Sequence, residues 1–75
     1  LDLEFVFVTG KHFADKAEAL AMTVRLYHRI IDGTQWKLPP KWGIWFCCKG
    51  DFDDIFISPE NYDDIRVELL NAVQA

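Results

Sequence analysis

The sequence predicts an α+β fold with element order βαββα. Three patterns carry the prediction: an alternating apolar run at the start, a long helical stripe after it, and two short apolar runs around an acidic turn that lead into a second helix. Seventy-five residues make one domain, residues 1–75, and a chain of this size has room for only a small core. With 51% hydrophobic and 15% aromatic residues, the composition supports such a core and argues against disorder.

In "LDLEFVFVT" the odd positions Leu1, Leu3, Phe5 and Phe7 are apolar and alternate with Asp2 and Glu4, the period of two of a half-buried strand. Val6 and Val8 make the far end apolar on both sides, which points to cover by another element or a partner. The period then changes. Phe13, Ala17, Leu20, Val24, Tyr27 and Ile31 recur at steps of three and four, predicting a helix over 13–32 with Gly33 as its stop. Met22 and Leu26 intrude near the opposite, charged side, which a purely solvated face would not select.

"GTQWKLPPKWG" is a connecting loop, because Pro39 and Pro40 lack amide donors and force extended backbone. Its "LPPKW" resembles the opening of a WW domain, but the closing aromatic and proline of that family are replaced by "NYDDIRVE", so the segment is read as punctuation. Residues 44–48 and 55–58 are the next two strands, with "KGDFDD" as the hairpin turn between them. Ser58 is an expected N-cap with Pro59 at the first helical position. The core stripe of the second helix is read as Tyr62, Ile65, Leu69, Ala72 and Val73.

A crossover through the first helix favours parallel pairing of its flanking strands, and the hairpin makes the third strand antiparallel to the second. Ile55, Phe56 and Ile57 are apolar on both alternations, which marks the third strand as central. The expected architecture is therefore a two-layer sandwich, a three-stranded mixed sheet of order 1-3-2 with two helices on one face. That arrangement resembles a ferredoxin-like plait lacking its last strand, a resemblance of architecture that implies fold alone.

Charge is distributed unevenly within the net −4. Residues 1–45 hold six cations against five anions, whereas residues 46–75 hold two cations against seven anions. An acidic C-terminal part repels phosphate backbones and attracts basic partners, so direct nucleic-acid binding is disfavoured. No apolar run approaches a membrane span, and no signal peptide is evident. Cys47 and Cys48 are adjacent and cannot form the framework of a secreted mini-protein, which favours a reducing, cytoplasmic setting.

Chemistry is sparse. The chain has no Gly-rich phosphate loop, no dinucleotide fingerprint and no Ser-based triad, so no cofactor is expected. Asp51, Asp53, Asp54 and Glu60 invite a calcium reading, but counting from Asp51 puts Phe56 where the EF-hand glycine belongs and Tyr62 where the twelfth ligand belongs. No metal is expected on that pattern. A cysteine nucleophile, Cys47 or Cys48 with His12 or His28 as base, is the residual enzymatic reading; a small buried hydrophobe accounts for either cysteine more simply.

The surface remains. Asp51, Asp53, Asp54, Glu60, Asp63 and Asp64, interleaved with Phe52 and Tyr62, are read as a carboxylate rim around aromatic anchors that meets a basic protein. An inhibitor, antitoxin-like or immunity-like protein is one form of such a module. The alternative is a homo-oligomeric structural or scaffolding domain, a homodimer in the simplest case, joined through its open sheet face or an edge. Trp36, Trp42 and Trp45 are more indole than a small core readily buries, so at least one is expected at the surface.

Overall fold

In the computed structural model, which describes residues 3–34, 38–49 and 53–74, the chain forms β1 (Phe5–His12), α1 (Lys16–Thr34), β2 (Trp42–Lys49), β3 (Ile55–Ile57) and α2 (Tyr62–Gln74). The three strands form one mixed sheet in the order β1-β2-β3. β1 runs parallel to β2 in an unbroken register from Phe5 opposite Trp42 to His12 opposite Lys49. β3 runs antiparallel to β2, with Ile44 opposite Ile57 and Phe46 opposite Ile55.

This order corrects the expected 1-3-2. β2 is the central strand and β3 an edge, so the crossover through α1 joins neighbouring strands, unlike the plait connectivity. Length decides it: β2 offers eight residues and β1 matches all of them, while β3 has three. The two-sided apolarity of β3 has a local cause instead. Ile55 and Ile57 are buried under the helices, while Phe56 lies on the open face over Gly43. A Cβ on Gly43 would stand 2.5 Å from the tip of the Phe56 ring, so the absence of a side chain there is what admits the ring.

Pairing also moves the element boundaries. β1 begins at Phe5 and continues through Gly10, Lys11 and His12, beyond the predicted end, because eight residues of β2 supply backbone partners along that length. The expectations for Leu1 and Asp2 lie outside the described residues. Helix α1 starts at Lys16 rather than Phe13. Asp15 caps it, accepting the Glu18 N–H on Oδ1 at 2.8 Å, and Phe13 instead packs its ring on Phe46 at 5.3 Å. Gly33 lies within the last turn of α1 rather than beyond it.

The core lies between the sheet and the two helices. Trp42, Ile44, Phe46, Ile55 and Ile57 project from the sheet to meet Ala19, Leu20 and Tyr27 of α1 and Ile65 of α2. α1 contacts β2, β3 and α2, which explains why its apolar stripe is broad enough to include Met22 and Leu26, both packed against the core. Thr23 is fully buried at the centre of that stripe. Its hydroxyl donates to the Ala19 carbonyl one turn back at 2.8 Å, so no polar atom is stranded.

A stack of rings ties three elements together. Tyr27 lies between Trp42, at 5.2 Å, and Tyr62, at 4.6 Å, and Phe7 meets Trp42 edge-on at 6.1 Å. Burial, reinforced by the nearby Tyr62 and Asp63, raises the Tyr27 phenol above its ordinary pKa. On α2, Ile65 is buried and Leu69 and Ala72 pack against the core, but Val73 is exposed, contrary to its expected place in the stripe. The helix starts at Tyr62, three residues later than Ser58 and Pro59 imply; at 100° per residue Val73 lies about 80° round the helix from the buried Ile65.

Candidate protein-interaction surface

The predicted acidic residues sit at both ends of β3. At the hairpin end, Asp54 is exposed yet engaged twice: its Oδ2 accepts the Trp45 indole N–H at 3.0 Å and its Oδ1 accepts the Cys48 backbone N–H at 3.1 Å. One carboxylate thus clamps the end of β2 to the start of β3. Asp53, its neighbour, is exposed. Asp51 and Phe52 lie outside the described residues.

At the other end, Ser58 to Asn61 form a tight turn with Pro59 at its second position, closed by the Asn61 N–H donating to the Ser58 carbonyl at 3.2 Å. The Asn61 side chain reaches back, accepting the Ser58 N–H at 2.6 Å and donating to the Phe56 carbonyl at 2.9 Å. Ser58 therefore belongs to this turn rather than to a helix cap. Asp63 and Asp64 occupy the first turn of α2, where the helix dipole favours negative charge. Tyr62 is half-buried: its ring stacks on Tyr27, and its hydroxyl shares a hydrogen bond with His28 Nε2 at 2.5 Å.

α2 runs antiparallel to β3, back toward the hairpin, and this direction decides which acids meet. A groove of about 270 Å³ opens between the hairpin, α1 and α2; Asp53, Asp54, Asn61 and Glu68 line it over an apolar floor that includes Leu20, Ile55 and Ile65. Asp64 is one turn before Glu68 and shares its flank of the helix. Lys16 also lines the groove and pairs with Glu68 at 3.7 Å, both side chains half exposed, so the pair is loose and screened. Glu60 instead borders a smaller cavity of about 160 Å³ at the opposite end with Leu3, Pro40 and Trp42, and Asp63 lies near Tyr27.

Six of the eight predicted site residues are among those described, and they divide. Asp53 and Asp54 line the groove, with Asp64 one turn of α2 before Glu68, while Glu60, Tyr62 and Asp63 lie toward the aromatic end. Glu68 joins the groove although sequence reasoning passed over it; its signal was the four-residue step from Asp64.

The open sheet face is a second surface. Val6, Val8, Gly43, Trp45, Cys47 and Phe56 occupy the alternation that points away from the helices. Val8 is 70% and Trp45 44% exposed, which places an indole at the surface as expected; Trp42 is buried and Trp36 lies outside the described residues. Val67, Leu70 and Val73 form a separate exposed stripe on α2.

The cysteines fall on opposite faces, Cys47 outward and Cys48 toward the helix side, and both are free thiols. Burial holds the Cys48 thiol above its ordinary pKa; a backbone bond at Ile55 works in the other direction, and Asp54 and Cys47 add to the rise. A raised thiol is a poor nucleophile at neutral pH. Among the described residues, no hydrogen bond joins either cysteine to either histidine, and no group of three or more His, Cys, Asp or Glu side chains is placed to hold a metal ion. No helix in the described residues is long and apolar enough to cross a membrane. No family model, no curated protein and no solved structure matches this chain.

Proposed function

We propose that this domain is a non-enzymatic protein-interaction module whose acidic groove receives a basic segment of a partner protein. The observation that carries the reading is the convergence of Asp53, Asp54 and Glu68 on one groove with an apolar floor, where Lys16 offsets only part of the charge. Carboxylates on the rim steer and select a Lys- or Arg-rich segment, and the floor receives the aliphatic stems of those side chains. An inhibitor, antitoxin-like or immunity-like protein that covers a partner's basic surface is the form that suits this shape. Two free, adjacent cysteines support a reducing, cytoplasmic setting.

The test uses an arginine-rich peptide as probe. Its affinity is expected to fall at least about tenfold between low and high salt, since rim charges at this exposure are screened within about 10 Å at 0.1 M. Replacing Asp53 and Glu68 with Lys is expected to abolish binding, whereas Asp63→Lys, at the other end, leaves most of it. Affinity indifferent to salt and to both groove substitutions overturns the reading.

A further inference from the structure

One cation already stands in the acidic groove. Lys16 lines it together with Asp53, Asp54 and Glu68, and its Nζ lies 3.7 Å from Glu68 Oε1, the one ion pair found among the described residues. The local stability of α1 does not call for a lysine there. Lys16 is the first residue of the helix, where the positive end of the dipole disfavours a cation, and the cap is supplied by Asp15. What favours the ammonium lies across the groove, on α2.

That hold is weak enough to exchange. Both side chains are half exposed, so water competes for each, and the pair contributes no more than a surface ion pair does. Release also meets no wall. Lys16, Leu20 and Glu68 border a second depression of about 340 Å³ beside the groove, which gives the flexible stem of a released Lys16 open space to occupy.

We infer that Lys16 is an internal competitor that sets the affinity of the groove: a partner's cation binds by displacing it from Glu68. This rests on the groove receiving a basic segment, and it names the side chain that segment needs on entry. A guanidinium meets a carboxylate through two parallel N–H···O bonds, whereas an ammonium offers a point charge. Arginine therefore takes Glu68 from Lys16 with a gain in hydrogen bonding, while lysine replaces like with like. The partner segment presents arginine at that position.

The test is titration calorimetry with an arginine-rich peptide, and with its lysine counterpart, at a salt concentration that screens distant charges. Lys16→Gln is expected to tighten arginine-peptide binding about three- to fivefold, the scale of one exposed ion pair. Lys41→Gln removes the same charge at the opposite end and is expected to change affinity by less than about twofold. Lys16→Arg keeps the charge and strengthens the internal pair, so it is expected to weaken binding about two- to fivefold; in a Glu68→Gln background it has no effect. The lysine peptide is expected to bind more weakly than the arginine peptide throughout. Equal affinities for Lys16→Gln and Lys41→Gln, or Lys16→Arg binding as tightly as the unaltered chain, overturn the inference. If Asp53→Lys still abolishes binding in that case, the groove reading stands and only the role of Lys16 falls; a peptide that binds none of these proteins overturns both.

Discussion

Neutralising Asp54 and neutralising Asp53 remove the same charge from adjacent positions, yet the structure assigns them different consequences. Asp54 holds two donors, the Trp45 indole and the Cys48 amide, and fastens the only hairpin seen among the described strands. Net worth of such bonds is about 0.5–1.5 kcal/mol each, reduced by exposure, so Asp54→Ala is expected to cost about 1.5 kcal/mol. For a domain of this size that lowers the melting midpoint by about 6–12 °C. Asp53→Ala is expected to stay within about 0.5 kcal/mol, as exposed substitutions do. Asp54→Asn keeps one carbonyl acceptor and should fall between. Thermal unfolding followed by circular dichroism at matched salt separates the three variants. Equal losses for Asp53→Ala and Asp54→Ala would refute the reasoning, because charge alone would then account for both.

Other consequences follow from the packing. Gly43→Ala drives a methyl group into the Phe56 ring and is expected to cost about 1–3 kcal/mol, with a shift in the fluorescence of neighbouring Trp45; denaturant titration checks it. Tyr27→Ala removes the middle ring of the stack on Trp42 and Tyr62 and is expected to cost about 3–5 kcal/mol, a large share of the stability of a small domain. Cys48 and Tyr27 both hold their protons more tightly when folded. Their contribution is therefore complete below the unfolded pKa values, about 9 and 10, and is lost as pH rises through the raised folded values. The melting midpoint should fall above about pH 9 and fall less steeply in Cys48→Ala; a midpoint rising from pH 9 to 11 contradicts this.

The element order was legible because period and punctuation were clean: alternation in β1, the three-and-four spacing of α1, and the prolines between α1 and β2. The sheet order was not, because the apolarity of Ile55, Phe56 and Ile57 reports two buried faces but not two neighbours. Phe56 finds its cover on Gly43, and glycine carries no hydropathy signal. The start of α1 was encoded in the Asp15-x-x-Glu18 spacing, a capping pattern overshadowed by the apolar Phe13. The start of α2 was misplaced because Ser58 and Pro59 suit a turn as well as a cap, and the deciding partner was the amide of Asn61.

Of the acidic surface, composition disclosed the residues but not their grouping. Antiparallel return of α2 along β3 separates Glu60 and Asp63 from the hairpin acids and brings Glu68 to them. Spacing in the chain cannot show that, since Asp54 and Glu68 are joined only through the fold. Tyr62 illustrates the same limit: its flanking acids suggested a surface anchor, whereas the neighbouring Tyr27 draws its ring into the stack.

The most direct test of the central claim is a nuclear magnetic resonance titration of the isotope-labelled protein with an arginine-rich peptide at low salt, reading every backbone amide. The account predicts saturable shifts clustered at Asp53 to Phe56, Asp64 and Glu68, with the amides of Leu70 to Val73 unmoved. Shifts concentrated instead on Val8 and Trp45, or on the exposed stripe of α2, would contradict it.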